Sequence, residues 1–223
     1  MAGRMNPKPA TFLAAALLAS TLASGAAVAA APSADASPPA RAQALASQGL
    51  AEVPHDALDS VHVKPGVNLA SYRSVVVEPV KVAIEDRHNR PDPQKRDIEH
   101  AQRYFAEKLT QALSPALPVA AGAGPGTLRI QVTVTEYVPN KPVFPRDDRG
   151  HWIHRSIGVG SAAFTAELRD GATGELVAVV SDADVGLPLN SNLRIHQEWG
   201  DADHFVRTWS RQIAALLGAR AAG

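Results

Sequence analysis

Five residues of the types that bind metals or move protons, His196, Glu198, Asp201, Asp203 and His204, crowd into "HQEWGDADH" near the C-terminal end of the chain. A second concentration lies in "KPVFPRDDRGHWIHRS", Lys141 to Ser156, where His151 and His154 have H-x-x-H spacing and Asp147 and Asp148 stand close in sequence. The chemistry these types offer is a metal-activated water for hydrolysis, with His151, His154 and His196 as the ligand set. Zinc needs three or four ligands converging tetrahedrally, and the H-E-x-x-H helix that would supply them is missing. Asp182 and Asp184 alternate along one strand face, and paired carboxylates can do acid–base work. Their simpler reading is a polar outer face near a strand end.

The C-terminal cluster has a structural reading that accounts for most of it. Phe205, Trp209, Ile213 and Leu216 recur at i, i+4, i+8 and i+11, and Ala202, Val206 and Leu217 widen the stripe into a core-facing helix. Gly200 supplies the turn into that helix, and Asp201 is placed as its N-cap, a role typically worth about 1 kcal/mol. Asp203 in the first turn meets the helix dipole favourably, and His204 points to solvent. Gly200, Asp201 and Trp209 are therefore structural residues, and only His196 and Glu198 are left over. Other chemistry fails on context. Gly158-Val159-Gly160 opens like a dinucleotide fingerprint but leads into a strand, and no G-x-S-x-G, Walker A or kinase pattern occurs. No residue is assigned a catalytic role and no cofactor is expected.

The elements that must position these residues follow from periodicity. Ser74 to Val82 is a nearly continuous apolar run, read as a strand buried on both faces and interrupted at Pro79. A helix follows, with Asp92 as cap, Pro93 in its first turn and Ile98, Ala101, Phe105, Leu109, Ala112 and Leu113 on one face; Ser114-Pro115 ends it. A short strand is expected around Leu117 to Ala120. "TLRIQVTVTEY" and "SAAFTAELRD" alternate as half-buried antiparallel strands, and the Asp170–Glu175 turn leads into "LVAVVSDADVG" as a hairpin partner. The predicted fold is α+β: an antiparallel sheet with two helices packed on one face, a two-layer sandwich of element order β-α-β-β-β-β-α.

This order brings the two unusual segments together. The 141–156 connection, at about 16 residues, is far longer than a usual hairpin loop of 2–5. The strand before it and the return strand after it place its ends at the same edge as "GLPLNSNLRIHQEWG", Gly186 to Gly200. Arg146, Arg149, His151, Trp152, His154 and Arg155 then share an edge with Arg194 and His196. Arginine and aromatic anchors on a rigid scaffold are what recognition surfaces are made of.

Bulk properties set the address. Arg4 and Lys8, the apolar run Ala10 to Ala23 and the Ala27-Val28-Ala29 cleavage site mark residues 1–30 as a secretory signal peptide. The apolar run is short of the roughly 20 residues of a spanning helix, so no transmembrane span is expected after cleavage. Residues 31–54, rich in Ala, Pro and Ser, are expected to be a disordered linker, and 55–219 a single domain. Removing Arg4 and Lys8 from 22 basic residues leaves 20 against 22 acidic ones, without the field of a nucleic-acid binder. There is no cysteine, which excludes disulfides, thiolate metal sites and a Cys nucleophile.

"VKPGVNLASYRSVVVEPV" (Val63 to Val80), "GPGTLRIQVTVTEYVP" (Gly124 to Pro139), "GSAAFTAELRDGATGELVAVVSDADVG" (Gly160 to Gly186) and Trp199-Gly200-Asp201-Ala202 with Trp209 together resemble domain-of-unknown-function family 3313, a family of bacterial lipoprotein-like proteins. The resemblance covers nearly all of the chain after His62 and implies an envelope protein without catalytic residues to carry over. The chain departs from the family at Leu22-Ala23-Ser24, which is followed by Gly25 where a lipoprotein has its lipidated cysteine. The expectation is a periplasmic or secreted, non-catalytic binding or assembly module whose partner is an envelope protein or surface.

Overall fold

In the computed structural model, residues 38–83, 95–143, 155–158, 160–186 and 197–218 are described. In chain order they form α1 (Pro38–Ser47), β1 (Ala51–Glu52), β2 (Ser60–Val63), a 3-10 turn at Leu69–Ser71, β3 (Ser74–Val77), β4 (Lys81–Val82), α2 (Lys95–Leu113), β5 (Thr127–Val138), β6 (Lys141–Val143), β7 (Arg155–Gly158), β8 (Ser161–Asp170), β9 (Leu176–Val185) and α3 (Gly200–Leu216). The main sheet has strand order β1-β2-β9-β8-β5-β3, with β4 also pairing β5, and β6 and β7 make a separate pair.

The α+β architecture stands, with α2 and α3 on one face, but the sheet is mixed. β3 and β4 run parallel to β5. The reason is the helix between them: parallel neighbours need a long crossover, and α2 is that crossover. Pro79 falls between β3 and β4, where its missing N–H interrupts the ladder. β3 is not buried on both faces, since only Val75 of its four residues is buried. The expected strand at Leu117–Ala120 reduces to one parallel bridge, Val75 to Val119. Its backbone still covers the edge, because the Val75 N–H donates to the Pro118 carbonyl at 3.0 Å and the Ala120 N–H to the Val75 carbonyl at 2.8 Å. The expected cap of α2, Asp92 and Pro93, lies outside the described residues.

The expected linker, 31–54, needs a larger correction. Residues 38–52 are folded: α1 lies on the face of the sheet opposite α2 and α3. There Leu45 and Leu50 join Leu176 and Val179 in a small second core. Adjacent residues of β9 point to opposite faces, so Val180 joins the main core while Val179 meets α1. The signal in the sequence was slight, since "PPARAQALASQGL" has only two large apolar residues.

The main core joins Leu128, Ile130, Val132 and Val134 of β5 and Ala162, Phe164, Ala166 and Leu168 of β8 to Phe105 and Leu109 of α2 and Val206, Trp209 and Ile213 of α3. Ring centroids lie 5.4 Å apart for Phe105 and Phe164 and 4.9 Å apart for Phe164 and Trp209. The two helices run side by side in the same direction. Arg96 meets Glu198 just before α3, and His100 and Tyr104 meet Asp203 and Arg207 of α3, so a row at i, i+4, i+8 on α2 follows α3 from its start.

If α1 belongs to the folded body, Leu45→Ala leaves a void in the second core and costs about 2 kcal/mol. A shifted urea unfolding midpoint would show this; an unchanged midpoint would mean that α1 contributes nothing to stability.

Candidate functional site

The strand pairings bring the roots of both long loops together. Val138 at the end of β5 is opposite Ser161 at the start of β8, and Ser161 is opposite Val185 at the end of β9. The Gly186 N–H donates to the Gly160 carbonyl at 2.8 Å, and the Asn140 N–H to the Glu198 carbonyl at 2.7 Å. Chain entering and leaving each loop is thus tied to the other loop and to the start of α3. Arg146, Arg149, His151, Trp152, His154, Arg194 and His196 lie outside the described residues. Arg155 opens β7, its backbone paired with Val143.

Asp201 is not the N-cap. The helix begins two residues earlier than that cap would set, at Gly200, with Trp199 in the cap position and no side-chain cap bond. Asp201 instead turns inward, is 1 % exposed, and accepts a hydrogen bond from the Gly160 N–H at 3.3 Å. Two glycines make room for it. A Cβ at Gly186 would collide with the Asp201 carboxylate, and one at Gly160 with the Asn140 side chain. The Trp199-Gly200-Asp201 motif is therefore a plug between the loop roots.

Beside it lies a cluster that the sequence reading missed. The β5–β8 register shifts between Val134 and Glu136. This bulge reverses the inward–outward phase, so Tyr137 faces the helices. Its hydroxyl donates to Asp203 Oδ1 at 2.5 Å, and His100 Nε2 lies 3.0 Å from the same oxygen. The His100 ring is stacked between Tyr104 at 5.5 Å and Trp199 at 5.1 Å, and Trp199 stacks on Tyr137 at 5.2 Å. Burial, followed by the Asp203 charge, pushes the Tyr137 hydroxyl well above its ordinary range, so it stays a neutral donor. A His–Asp pair invites a catalytic reading. Here the imidazole lies among three aromatic rings, and its Nε2 meets Asp203. The arrangement instead joins α2, α3 and β5. Alternation continued past Val134 would have turned Tyr137 outward, which is why it was overlooked.

Asp182 and Asp184 are not on the outer face. They pair with Phe164 and Ala162, which puts them on the helix side, beyond the end of the apolar core. Asp182 is 8 % exposed and accepts from the Ala183 N–H at 2.7 Å, while Asp184 accepts from Trp209 Nε1 at 3.2 Å. Burial, then the charges of Asp59 and Asp184, raise the Asp182 carboxyl to about 7. Among the described residues no group of three or more His, Asp or Glu is arranged to hold a metal ion.

The family model described as "Protein of unknown function (DUF3313)" matches residues 41–213. The chain belongs to the DUF3313 family. The match runs from the first turn of α1 to the last of α3, so the DUF3313 unit contains the whole described sheet. No curated protein matches. Among solved structures, the chain is similar to a PelC dodecamer from Paraburkholderia phytofirmans, with 16% identity, a TM-score of 0.42, and 72% of this chain and 97% of that one covered. It is also similar to a minor lipoprotein from Acinetobacter baumannii, with 12% identity, a TM-score of 0.33, and 66% and 92% covered. For the uncharacterized lipoprotein B of Nitrosomonas europaea the figures are 14%, 0.29, 70% and 92%. No described helix of this DUF3313 protein is long and apolar enough to cross a membrane.

Gly186→Ala forces a methyl group onto the buried Asp201 and is expected to cost about 2–3 kcal/mol by overpacking, read from the urea midpoint. An effect below about 0.5 kcal/mol, the usual range for an unconstrained surface site, would mean that the plug is not tight. Asp182 gives a pH test. Its native pKa of about 7 lies above its unfolded value of about 4, so the neutral form favours the native state. That stability is full below about pH 4 and lost as the pH rises through about 7. Asp182→Asn is expected to raise stability at pH 8 by on the order of 1–2 kcal/mol and to flatten the dependence between pH 5 and 8. An unchanged slope in a urea series across that range would contradict the assignment.

Proposed function

We propose that this chain is an exported, non-catalytic binding or assembly module of the bacterial cell envelope. Its working surface is the edge from which the 141–156 and 187–198 segments leave the sheet. The observation that carries this reading is the double tie at the loop roots, Gly186 to Gly160 and Asn140 to Glu198, backed by buried Asp201. A rigid frame from which two long connections emerge is the usual way a fold presents a recognition surface. The segments that emerge carry Arg146, Arg149, Trp152, Arg155 and Arg194, residue types enriched in interfaces. Export rests on the basic start, apolar run and A-x-A site of residues 1–30. With Gly25 in place of a lipidated cysteine, the mature chain is free of that anchor and acts in the periplasm or outside the cell.

Site-specific photo-crosslinking in cells tests the surface. A crosslinker at Trp152 is expected to give a discrete adduct, identified by mass spectrometry. A crosslinker at Thr173, exposed in the hairpin at the other end of β8 and β9, is expected to give none. An adduct from Thr173 alone would move the working surface to the opposite end.

A further inference from the structure

Across the face of the sheet that α1 partly covers runs a row of hydroxyl side chains. Ser60 of β2 pairs with Ser181 of β9, Ser181 with Thr165 of β8, and Thr165 with Thr133 of β5, after which Lys81 of β4 continues the row. These residues point away from the main core, because their neighbours Val61, Val180, Ala166, Val132 and Val134 point into it. Thr165 and Ser181 are 9 % and 8 % exposed. Directly opposite residues on neighbouring strands lie about 5 Å apart, so the hydroxyls form a continuous line of donors.

Arg41 of α1 lies over this line. Its Nη2 donates to Thr165 Oγ1 at 2.7 Å. That is one of five N–H donors, and among the described residues Arg41 has no ion pair. Burial weakens its hold on its proton, and among the described residues no carboxylate offsets the effect. The other charged and titratable groups on this face are engaged or at its margin. Glu167, one row along β8, is held by Arg169 at 2.7 Å; Glu136 of β5 accepts from Ser161; Glu78 pairs with Arg129; His62 Nδ1 lies 3.1 Å from Ser60 Oγ; Lys81 is exposed at the far end. Among the described residues, Thr165 is the one side chain that accepts from Arg41. Here a half-buried guanidinium meets a hydroxyl, with N–H donors in surplus. Several acceptor oxygens on one anionic centre satisfy that surplus, and the guanidinium fork matches them.

We propose that Arg41, Thr165, Ser181 and Thr133 form a binding site for a phosphoryl group between α1 and the outer face of β5, β8 and β9. The group is carried by a soluble phosphate compound or by a lipid headgroup, since both offer the same oxygens. The site lies on the sheet face, apart from the loop edge, and stands or falls separately from the proposed function.

Inorganic phosphate titrated into the full chain and followed by 31P line broadening and calorimetry is the first probe. Saturable binding is expected. Arg41→Gln, which keeps an amide donor for Thr165, is expected to weaken it at least about tenfold, the usual worth of a charged hydrogen bond. Thr133→Val, on a strand that α1 does not need for docking, is expected to weaken it as well while leaving the circular dichroism and urea midpoint unchanged. Non-saturable behaviour in the parent chain would overturn the site, as would equal affinity in both variants. Flotation with phosphatidylglycerol and phosphatidylcholine vesicles separates the sources. Arg41-dependent capture by the anionic vesicles alone assigns the lipid, and saturable phosphate binding without capture assigns the soluble compound.

Discussion

The indole of Trp209 fixes both helices to the sheet. It is 1 % exposed, with its ring 4.9 Å from Phe164 and 6.5 Å from Phe105, so one residue of α3 touches both β8 and α2. Its N–H is not wasted in that apolar setting, since it reaches Asp184 where the core ends. With α3 pinned at its middle, the first turn must arrive at the loop roots. Asp201 then enters the space left by Gly160 and Gly186, and Asp203 meets Tyr137 and His100. The joint and the plug are thus local consequences of where Trp209 packs.

Much of this could be read from side-chain period. Two strands alternate cleanly and form β5 and β8, and the terminal helix shows its stripe without ambiguity. What resisted reading was whatever depended on pairing partner or on depth. Period does not say that β3 lies parallel to β5, although the helix between them hints at a crossover. It does not reveal the bulge at Thr135, because "TEYV" still looks regular. Period put Asp182 and Asp184 in phase with Ala178 and Val180, and they do share that face. The charge then suggested solvent, whereas Asp182 is buried. Alternation gives phase; it does not give the thickness of the layer above.

The frame of the candidate site was legible to the same degree. Counting strands places the ends of the two long connections at one edge, and the Gly160–Gly186 and Asn140–Glu198 bonds join the roots there. The joint around Asp203 was not legible, because His100 and Tyr104 flank the apolar stripe of α2 and Tyr137 depends on the bulge. Arg41 was hidden differently. Its segment has the composition of a tether, and its two large apolar residues, Leu45 and Leu50, pack against Leu176 and Val179 of the sheet.

The position of β2 has a consequence for how the chain folds. It is sandwiched between β1 and β9, and Val61 pairs with Val180, more than a hundred residues further along. The meander of β5, β8 and β9 involves neighbours joined by shorter connections and can form early. The N-terminal strands cannot join until β9 exists to receive them. The loop closed by that pairing is the longest in the sheet and carries its largest closure entropy. A chain that begins at its N-terminus must therefore wait for almost its whole length before its first strand finds a place.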